Sequence, residues 1–244
     1  MDWPPPAADS GYRPTVTREY AEQINRWHEQ TYQAARTRGA SMQTFQYLGL
    51  TLKVPADVMP ITPLSDLLGT AVLAEVNSWD RVLDMGTGSG VNAILAATKS
   101  TQVMAVDINP RAVAAARQNA IRNRVADRVD VRLSDVYGAV DGTFDLVIFD
   151  PPSRWFAPRD LLEMASTDLD YRALTTFVRD LDRYLNVNGR ALIFFGTSGD
   201  MGYLRQILAE ENYAVEVLAK REMQKGDTRV SYCTHRVTRN RPPR

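Results

Sequence analysis

Cysteine and histidine are scarce in this chain, and their scarcity argues against two kinds of site. The 244 residues include one cysteine and two histidines. A single thiol, at Cys233, cannot form a disulfide within the chain. His28 and His235 stand far apart in sequence and form no cluster at metal-ligand spacing. The sequence therefore predicts neither a disulfide framework nor a metal site.

Long apolar runs and an excess of charge of one sign are also missing. No segment reaches the roughly 20 apolar residues that a membrane-spanning helix needs, and residues 1–6 lack the charged and apolar regions of a signal peptide. Basic and acidic residues both number 29, so the formal net charge is zero. Without a net positive field the chain is not drawn to nucleic acid as a whole, although a local basic patch remains open. These absences predict a cytoplasmic protein without a membrane partner, and they disfavour nucleic acid as its partner.

The chain does have enough apolar content for one domain with appendages. Hydrophobic residues make up 44% of the sequence, which at this length favours one core over two. We expect an N-terminal extension over 1–63 and a single domain over 64–244. Within the extension, 1–15 contain four prolines and are expected to be disordered or to lie across the surface. A helix over 17–38 and a hairpin over 45–54 are expected to follow.

The domain alternates strand and helix patterns. Apolar segments typical of buried strands are separated by segments of helical periodicity, which predicts right-handed crossovers and a parallel sheet. A Gly226-Asp227 pair between the last two strands indicates a final antiparallel hairpin. The predicted fold is α/β: a Rossmann-like, doubly wound, seven-stranded and mostly parallel sheet with an antiparallel last strand. The predicted strands cover 81–85, 102–107, 129–134, 144–150, 191–195, 213–219 and 228–236, and the predicted helices cover 64–76, 90–98, 110–123 and 171–185.

A glycine-rich turn follows the first of these strands. It has the form Asp84-x-Gly86-x-Gly88-x-Gly90. A dinucleotide fingerprint places its third glycine at the sixth position, which is Val91 here. The acid before the first glycine would repel a pyrophosphate, but it suits a ligand with a positive end, such as the ammonium and sulfonium of S-adenosylmethionine. We therefore assign the turn, Asp84 included, to binding of that cofactor.

Two further acids end the next two strands. Asp107 has two oxygens that could accept both hydroxyls of a ribose, and Asp135 could accept an adenine amino group. Val136 or Ile108 is then expected to lie against the adenine ring. Each acid alone could equally be a helix cap or a turn residue, but three acids at successive strand ends favour a nucleoside pocket.

The fourth strand ends in Asp150-Pro151-Pro152, which should border the same crevice. Two consecutive prolines stiffen the turn and remove two backbone donors, so carbonyl oxygens dominate its hydrogen bonding. Such a turn suits an acceptor nitrogen that carries hydrogens, and Asp150 could also take up a released proton. Asp150, Pro151 and Pro152 are therefore the candidate catalytic residues.

From 64 to 236 the chain resembles class I S-adenosylmethionine-dependent methyltransferases. The turn at Asp150 is similar to the Asn/Asp-Pro-Pro-aromatic motif of amino and amide methyltransferases, a small-domain group that includes HemK-like glutamine methyltransferases and amino-methylating enzymes of DNA and ribosomal RNA. The segment 60–63, with Thr62, resembles their substrate-proximal loop. The resemblance implies an N-methyltransferase that uses S-adenosylmethionine, with Thr62 and Ser153 near the substrate.

The chain departs from the HemK-like motif at two positions. Asp150 stands where glutamine methyltransferases carry asparagine, and Ser153 replaces the aromatic residue that flanks the target group. A carboxylate only accepts hydrogen bonds, which favours an amine over an amide. Trp155 or Phe156 could supply the missing flat surface, or both could simply anchor the loop in the core.

The predicted substrate depends on segments around the sheet. The mixed charges of 153–170 could bind a zwitterionic amino compound or form a solvated face, and the helix over 17–38 could act as a lid, with Tyr20, Trp27 and Tyr32 facing the cleft, or pack onto the sheet. The first hypothesis is an N-methyltransferase for a small molecule or a protein side chain. The alternatives are methylation of an RNA or DNA base amino group and a cofactor-binding scaffold without catalysis.

Overall fold

The computed structural model describes residues 11–37 and 41–240. Its helices are α1 (Arg18–Thr37), α2 (Ser65–Glu75), α3 (Val91–Ala97), α4 (Pro110–Arg122), α5 (Leu161–Met164), α6 (Arg172–Tyr184) and α7 (Met201–Glu210), with a 3-10 turn at Leu169–Tyr171. Its strands are β1 (Gln43–Tyr47), β2 (Leu50–Val54), β3 (Arg81–Met85), β4 (Gln102–Asp107), β5 (Val129–Leu133), β6 (Phe144–Phe149), β7 (Leu185–Gly196), β8 (Tyr213–Lys225) and β9 (Thr228–Arg239).

The central sheet has seven strands in the order β5-β4-β3-β6-β7-β9-β8. The pairs from β5 to β7 are parallel, whereas β9 runs antiparallel to both β7 and β8. The predicted doubly wound sheet with an antiparallel last strand is therefore confirmed. Separate apolar clusters cover its two faces, as expected for a sheet that is buried on both sides. No helix in the described ranges is long and apolar enough to cross a bilayer.

The carboxyl ends of β3, β4 and β6 lie side by side because strand order reverses next to β3. β3 pairs with β4 on one side and with β6 on the other. In open α/β sheets this reversal leaves a crevice above the strand ends, where ligands bind. The sheet therefore brings together the three turns that follow β3, β4 and β6, although these turns are distant in sequence.

The predicted elements were incomplete at several places. Helix α7 was not predicted, although Met201, Leu204 and Ile207 have helical spacing and are buried. Strand β8 continues to Lys225 instead of ending at 219, because its polar last residues pair only with β9 and leave no apolar alternation to detect. Disorder or surface placement was predicted for 1–15; residues 1–10 lie outside the described ranges, and residues 11–15 lie on the surface without regular structure, with only Tyr12 buried among them.

The ordering of residues 11–15 rests on one buried aspartate. Tyr12 is only 5% exposed, and its hydroxyl donates to Asp200 Oδ2 at 3.1 Å. The amide of Thr15 donates to the same oxygen at 2.7 Å. These contacts dock the segment onto the start of α7 and lead the chain into α1.

The β1–β2 hairpin is joined to the rest of the fold through α4. Asn119 of α4 and Asn123, which caps the C-terminal end of that helix, pair through their side-chain amides with the backbone of β2, at Lys53 and Thr51. Leu52 of β2 is fully buried in the core below the sheet. Helix α1 packs instead against the far part of the β8–β9 hairpin, through Ile24, Trp27 and Val230.

Candidate active site

A cavity of about 480 Å³ opens at the carboxyl ends of β3, β4 and β6. We distinguish two parts of its lining. The strand-end wall consists of Gly86, Gly88, Asp107, Ile108, Asp135 and Val136, and the insertion wall consists of Thr31, Ser153, Arg154, Met164, Lys225 and Tyr232. Asp150, Pro151 and Pro152 line the cavity as well. The cavity thus collects most of the residues that the sequence selects.

The three glycines of the turn after β3 have two different structural roles. Gly86 and Gly88 line the cavity with positive φ, and the amide of Gly88 donates to Asp107 Oδ2 at 2.8 Å. Gly90 is buried and does not line the cavity, and a Cβ added there would lie 3.0 Å from Ala116 on α4. Gly90 therefore allows close packing of α3 and α4, while the other two glycines keep side chains off the cavity surface.

Asp84 lies behind this turn and not on the cavity wall. Its carboxylate is 1% exposed, and its Oδ2 accepts bonds from the Thr87 hydroxyl at 2.5 Å and the Ala93 amide at 3.0 Å. Burial raises the pKa of Asp84 to about 7, against the lowering effect of these two bonds. Asp84 thus ties the turn to the start of α3 from below, without the direct contact to a ligand that the sequence suggests.

Asp107 holds the centre of the strand-end wall. Each carboxylate oxygen accepts one backbone amide at 2.8 Å, Oδ2 from Gly88 and Oδ1 from Asn109. Burial raises the pKa of Asp107, and these amides oppose the rise. A carboxylate oxygen can accept more than one hydrogen bond, so both oxygens retain acceptor capacity on the side that lines the cavity.

Apolar groups and a fixed ion pair complete this wall. Ile108 and Val136 line the cavity next to Asp107. Asp135 lines it too, and its Oδ1 forms an ion pair with Arg172 at 2.8 Å. The wall therefore offers a carboxylate beside an apolar slot, an arrangement that fits a ribose and a flat base.

Asp150 is open to the cavity and has no hydrogen-bond or ion-pair partner among the described residues. The surrounding protein still shields it from bulk water, and this desolvation raises its pKa to about 7. Pro151 and Pro152 follow it along the cavity lining. The turn presents an unpaired acceptor whose charge changes near neutral pH.

The predicted substrate residues divide between the cavity and the core. Thr62 and Ser153 line the cavity, and the backbone carbonyl of Ser153 is fixed by the Tyr171 hydroxyl at 2.7 Å. Trp155 and Phe156 do not line it. The Trp155 ring lies 5.8 Å from that of Tyr171, and the Phe156 ring lies 5.7 Å from that of His28. Of the two alternatives for these aromatic residues, the geometry matches loop anchoring.

Helix α1 lines the cavity with a residue other than the three aromatic residues that the lid prediction named. Thr31 lines the insertion wall, whereas Tyr20, Trp27 and Tyr32 do not. The Tyr20 hydroxyl donates to the backbone carbonyl of Thr197 at 2.8 Å, and Trp27 is buried against β9. Helix α1 therefore packs onto the sheet, which was the alternative to a lid over the cleft.

An ion network fixes the insertion, residues 153–170, to α1. Glu163 is 3% exposed and accepts hydrogen bonds from Arg159 and from His28, the latter at 2.7 Å. Burial alone would raise the pKa of Glu163, but these bonds outweigh it and lower the pKa to about 2. Arg159 extends the network to Glu29 on α1, at 2.8 Å. Most charges of the insertion are therefore structural.

Sequence analysis gave no individual role to several cavity residues. Arg154 was only one of the mixed charges of the insertion. Lys225 had no assigned role because the predicted strand 213–219 stopped short of the hairpin tip, and Tyr232 was part of the predicted strand 228–236 without a role of its own. One signal was available: the chain has only four lysines, and Lys225 immediately precedes the Gly226-Asp227 turn. Asn109 also lines the cavity, and its side chain caps the start of α4. Its side-chain amide also donates to the backbone carbonyl of Asp57 at 3.0 Å, which holds the loop before α2 over the cavity.

Comparison with known proteins supplies a family and a fold. The family model Methyltransferase small domain matches residues 65–225. The chain is 32% identical over 168 residues to the release factor glutamine methyltransferase of Cereibacter sphaeroides, covering 62% of this chain and 59% of that protein. It is 35% identical over 129 residues to ribosomal RNA small subunit methyltransferase C of Chromohalobacter salexigens, covering 50% of this chain and 38% of that protein. The chain thus spans about three fifths or less of the length of these two relatives.

A solved structure shares the fold at low identity. TYW2 of M. jannaschii, in complex with AdoMet, matches with a TM-score of 0.55 at 15% identity, over 83% of this chain and 88% of that one. At this identity the likeness bears on the fold alone.

Proposed function

Because the chain belongs to the methyltransferase small domain family, we propose that it is an S-adenosylmethionine-dependent methyltransferase acting on a nitrogen of a small molecule or of a protein side chain. One observation carries the proposal. The unpaired carboxylate of Asp150, followed by two prolines, lines the same cavity as the glycine turn and Asp107. Cofactor-binding and acceptor-binding groups therefore share one enclosed space.

The strand-end wall fits the nucleoside part of the cofactor. Asp107 would accept the two ribose hydroxyls, and Ile108 and Val136 would contact the adenine ring. Gly86 and Gly88 leave room for the ligand because they add no Cβ at the wall. Asp84 would act through the turn that it holds. The relatives named as methyltransferases support this assignment, as does the fold shared with a protein solved in complex with AdoMet.

Asp150 would orient the acceptor nitrogen. Its carboxylate and a carbonyl of the proline turn accept N–H bonds and leave the nitrogen lone pair directed into the cavity. Bound S-adenosylmethionine would supply an electrophilic methyl group to this nitrogen, with the cofactor sulfur as the leaving group that keeps the bonding electron pair. The nitrogen then loses a proton, which ionised Asp150 can accept and pass to water.

The polar groups at the turn favour an amine over an amide. Ionised Asp150 offers acceptors only, so it pairs with an N–H donor but leaves an amide carbonyl without a donor. The acceptor-only character of ionised Asp150 supports an amino nitrogen as the acceptor.

Methylation of an RNA base amino group is the second candidate, and the ribosomal RNA methyltransferase among the relatives favours it. The charges of the cavity weigh against it. Five aspartates line the cavity, at positions 57, 107, 135, 150 and 168, against three cations, Arg154, Arg172 and Lys225. A polyanion would meet net repulsion there, since binding to nucleic acid depends on phosphate neutralisation by basic side chains.

Two measurements test the proposal. Calorimetry with S-adenosylhomocysteine should detect one site per chain. Labelled methyl from the cofactor, incubated with host extract, should enter the small-molecule or protein fraction. No binding would remove the cofactor assignment, binding without methyl transfer would favour the scaffold alternative, and label in RNA would favour the second candidate.

A further inference from the structure

Two cations on the insertion wall lack a carboxylate partner. Arg154 donates to the Ser153 hydroxyl, and its Nε is buried without a hydrogen-bond partner. Arg154 and Lys225 each form no ion pair with any acid in residues 11–37 and 41–240. Both line the cavity. A guanidinium withdrawn from water without a counter-ion is costly to a fold, so its retention calls for a ligand.

Lys225 shares this environment. It ends β8, where its Nζ lies 4.9 Å from the centre of the Trp27 ring. Burial, and to a smaller extent the charge of Arg154, lower the pKa of Lys225 to about 8. The two side chains therefore face the same region of the cavity closely enough for their charges to interact.

The acids nearby are committed to other groups. Asp168 accepts the backbone amides of Ala173 and Leu174 at the start of α6, both at 3.0 Å. Glu163 is held by Arg159 and His28. Neither carboxylate forms an ion pair with Arg154 or Lys225.

We propose that the substrate carries an anionic group, a carboxylate or a phosphate, which Arg154 and Lys225 bind while its nitrogen meets Asp150. This inference rests on the proposed function for the role of Asp150 and adds the class of substrate: a small amino compound with an acidic group. Asp150 and Arg154 are four positions apart on one stiff turn, so one segment contacts both ends of the molecule. A guanidinium and an ammonium can share one anion, and Arg154 can bind it through two parallel N–H bonds.

A small anion fits this position better than a nucleic-acid backbone. The two cations are enclosed by α1, the insertion and the hairpin tip, and the rest of the cavity lining has an excess of acids. A single acidic group can reach them without bringing further negative charge near Asp57, Asp107 and Asp135. An RNA would bring several phosphates past those residues.

The small number of lysines permits a direct test. Protein labelled with ¹³C at lysine Cε has four signals to resolve, and Lys225→Met assigns one of them. The protein, saturated with S-adenosylhomocysteine, is titrated with pH in the presence of sodium acetate, sodium phosphate or uncharged acetamide. We expect acetate or phosphate, but not acetamide, to raise the pKa of Lys225 by one unit or more, and the more effective anion identifies the acidic group.

Three variants separate this effect from unspecific ones. Arg154→Gln should abolish the shift, Arg154→Lys should retain part of it, and Lys220→Met, which removes an exposed lysine of the same strand paired with Glu222, should leave it unchanged. Arg154→Gln and Lys225→Met should keep their affinity for S-adenosylhomocysteine within twofold of the parent protein.

The outcomes that overturn the inference differ from those that overturn the proposed function. An unchanged Lys225 pKa in both anions, or a larger shift with a short RNA than with the matching nucleoside monophosphate, would remove the small anionic substrate even if the cofactor binds. Absence of S-adenosylhomocysteine binding with a normal anion response would remove the methyltransferase proposal and leave the anion site.

Discussion

The strand-end wall and the insertion wall of the cavity are built in different ways. The strand-end wall comes from residues 86–136, and its acids lie at or near strand ends: Asp107 is held by the backbone amides of Gly88 and Asn109, and Asp135 pairs with Arg172. The insertion wall joins Thr31, Arg154 and Lys225, which come from three segments far apart in sequence. The first wall is thus local in sequence, and the second depends on tertiary contacts.

This difference bears on what each wall can do. Backbone amides and glycines fix a position that does not depend on neighbouring side chains, which suits a ligand common to a family. The insertion wall depends on an ion network among Glu163, Arg159 and His28, and substitutions there alter the lining without disturbing the sheet. We therefore expect changes in the two walls to be separable in experiments.

The largest expected effect is at the turn between the walls. Asp150→Asn should lower kcat by about 10²–10³-fold, because the amide cannot accept a proton and presents donors to the acceptor nitrogen. Affinity for S-adenosylhomocysteine, measured by calorimetry, should change less than threefold. An equal loss of affinity and turnover would move Asp150 into the strand-end wall.

The second largest effect is expected from a substitution in the strand-end wall alone. Asp107→Ala should weaken S-adenosylhomocysteine binding by about tenfold to a hundredfold, the range for losing hydrogen bonds to a charged group. Asp130→Ala serves as the control, since Asp130 is an exposed residue of β5 that pairs with Arg132 at 2.6 Å. If both variants bind equally, Asp107 does not hold the cofactor.

The strand-end wall could be predicted from the sequence because it is local in sequence, whereas the insertion wall could not because it depends on tertiary contacts. The bounds of β3 and β4 agree with the prediction because buried parallel strands are apolar runs that end at a turn. The acids at their ends were selected for the same reason. Trp155, Phe156 and Lys225 could not be placed in this way, since their positions depend on contacts with Tyr171, His28 and Trp27 that no local pattern encodes.

The pH dependence sharpens the comparison at Asp150. Its folded-state pKa of about 7 means that about a tenth of the carboxylates are ionised at pH 6, so kcat/KM should fall about tenfold per unit below pH 7 and level off above it. The slope should be lost in Asp150→Asn. Asp84 has a similar pKa, so S-adenosylhomocysteine binding must be measured over the same range. A matching slope in binding would assign the titration to the strand-end wall.

The smallest effect on chemistry is expected from loosening the insertion wall. Glu163→Gln weakens the bonds from Arg159 and His28 and should lower the free energy of unfolding by about 1–2 kcal/mol, the range for bonds to charged groups. The full cost of breaking a buried pair does not apply, because the Arg159 side chain is 48% exposed. Glu29→Gln removes the exposed partner of Arg159 and should lower the free energy of unfolding much less than Glu163→Gln does.

The pH dependence of stability identifies the same group. The folded-state pKa of Glu163 is lowered to about 2, so its contribution is present above the unfolded value near 4.5 and is lost as the pH falls towards 2. Glu163→Gln should remove that part of the acid sensitivity and speed hydrogen exchange in α1 and 153–170, while binding of S-adenosylhomocysteine stays unchanged. If cofactor affinity fell together with stability, the two walls would be one mechanical unit, and the insertion could not change substrate without changing the cofactor site.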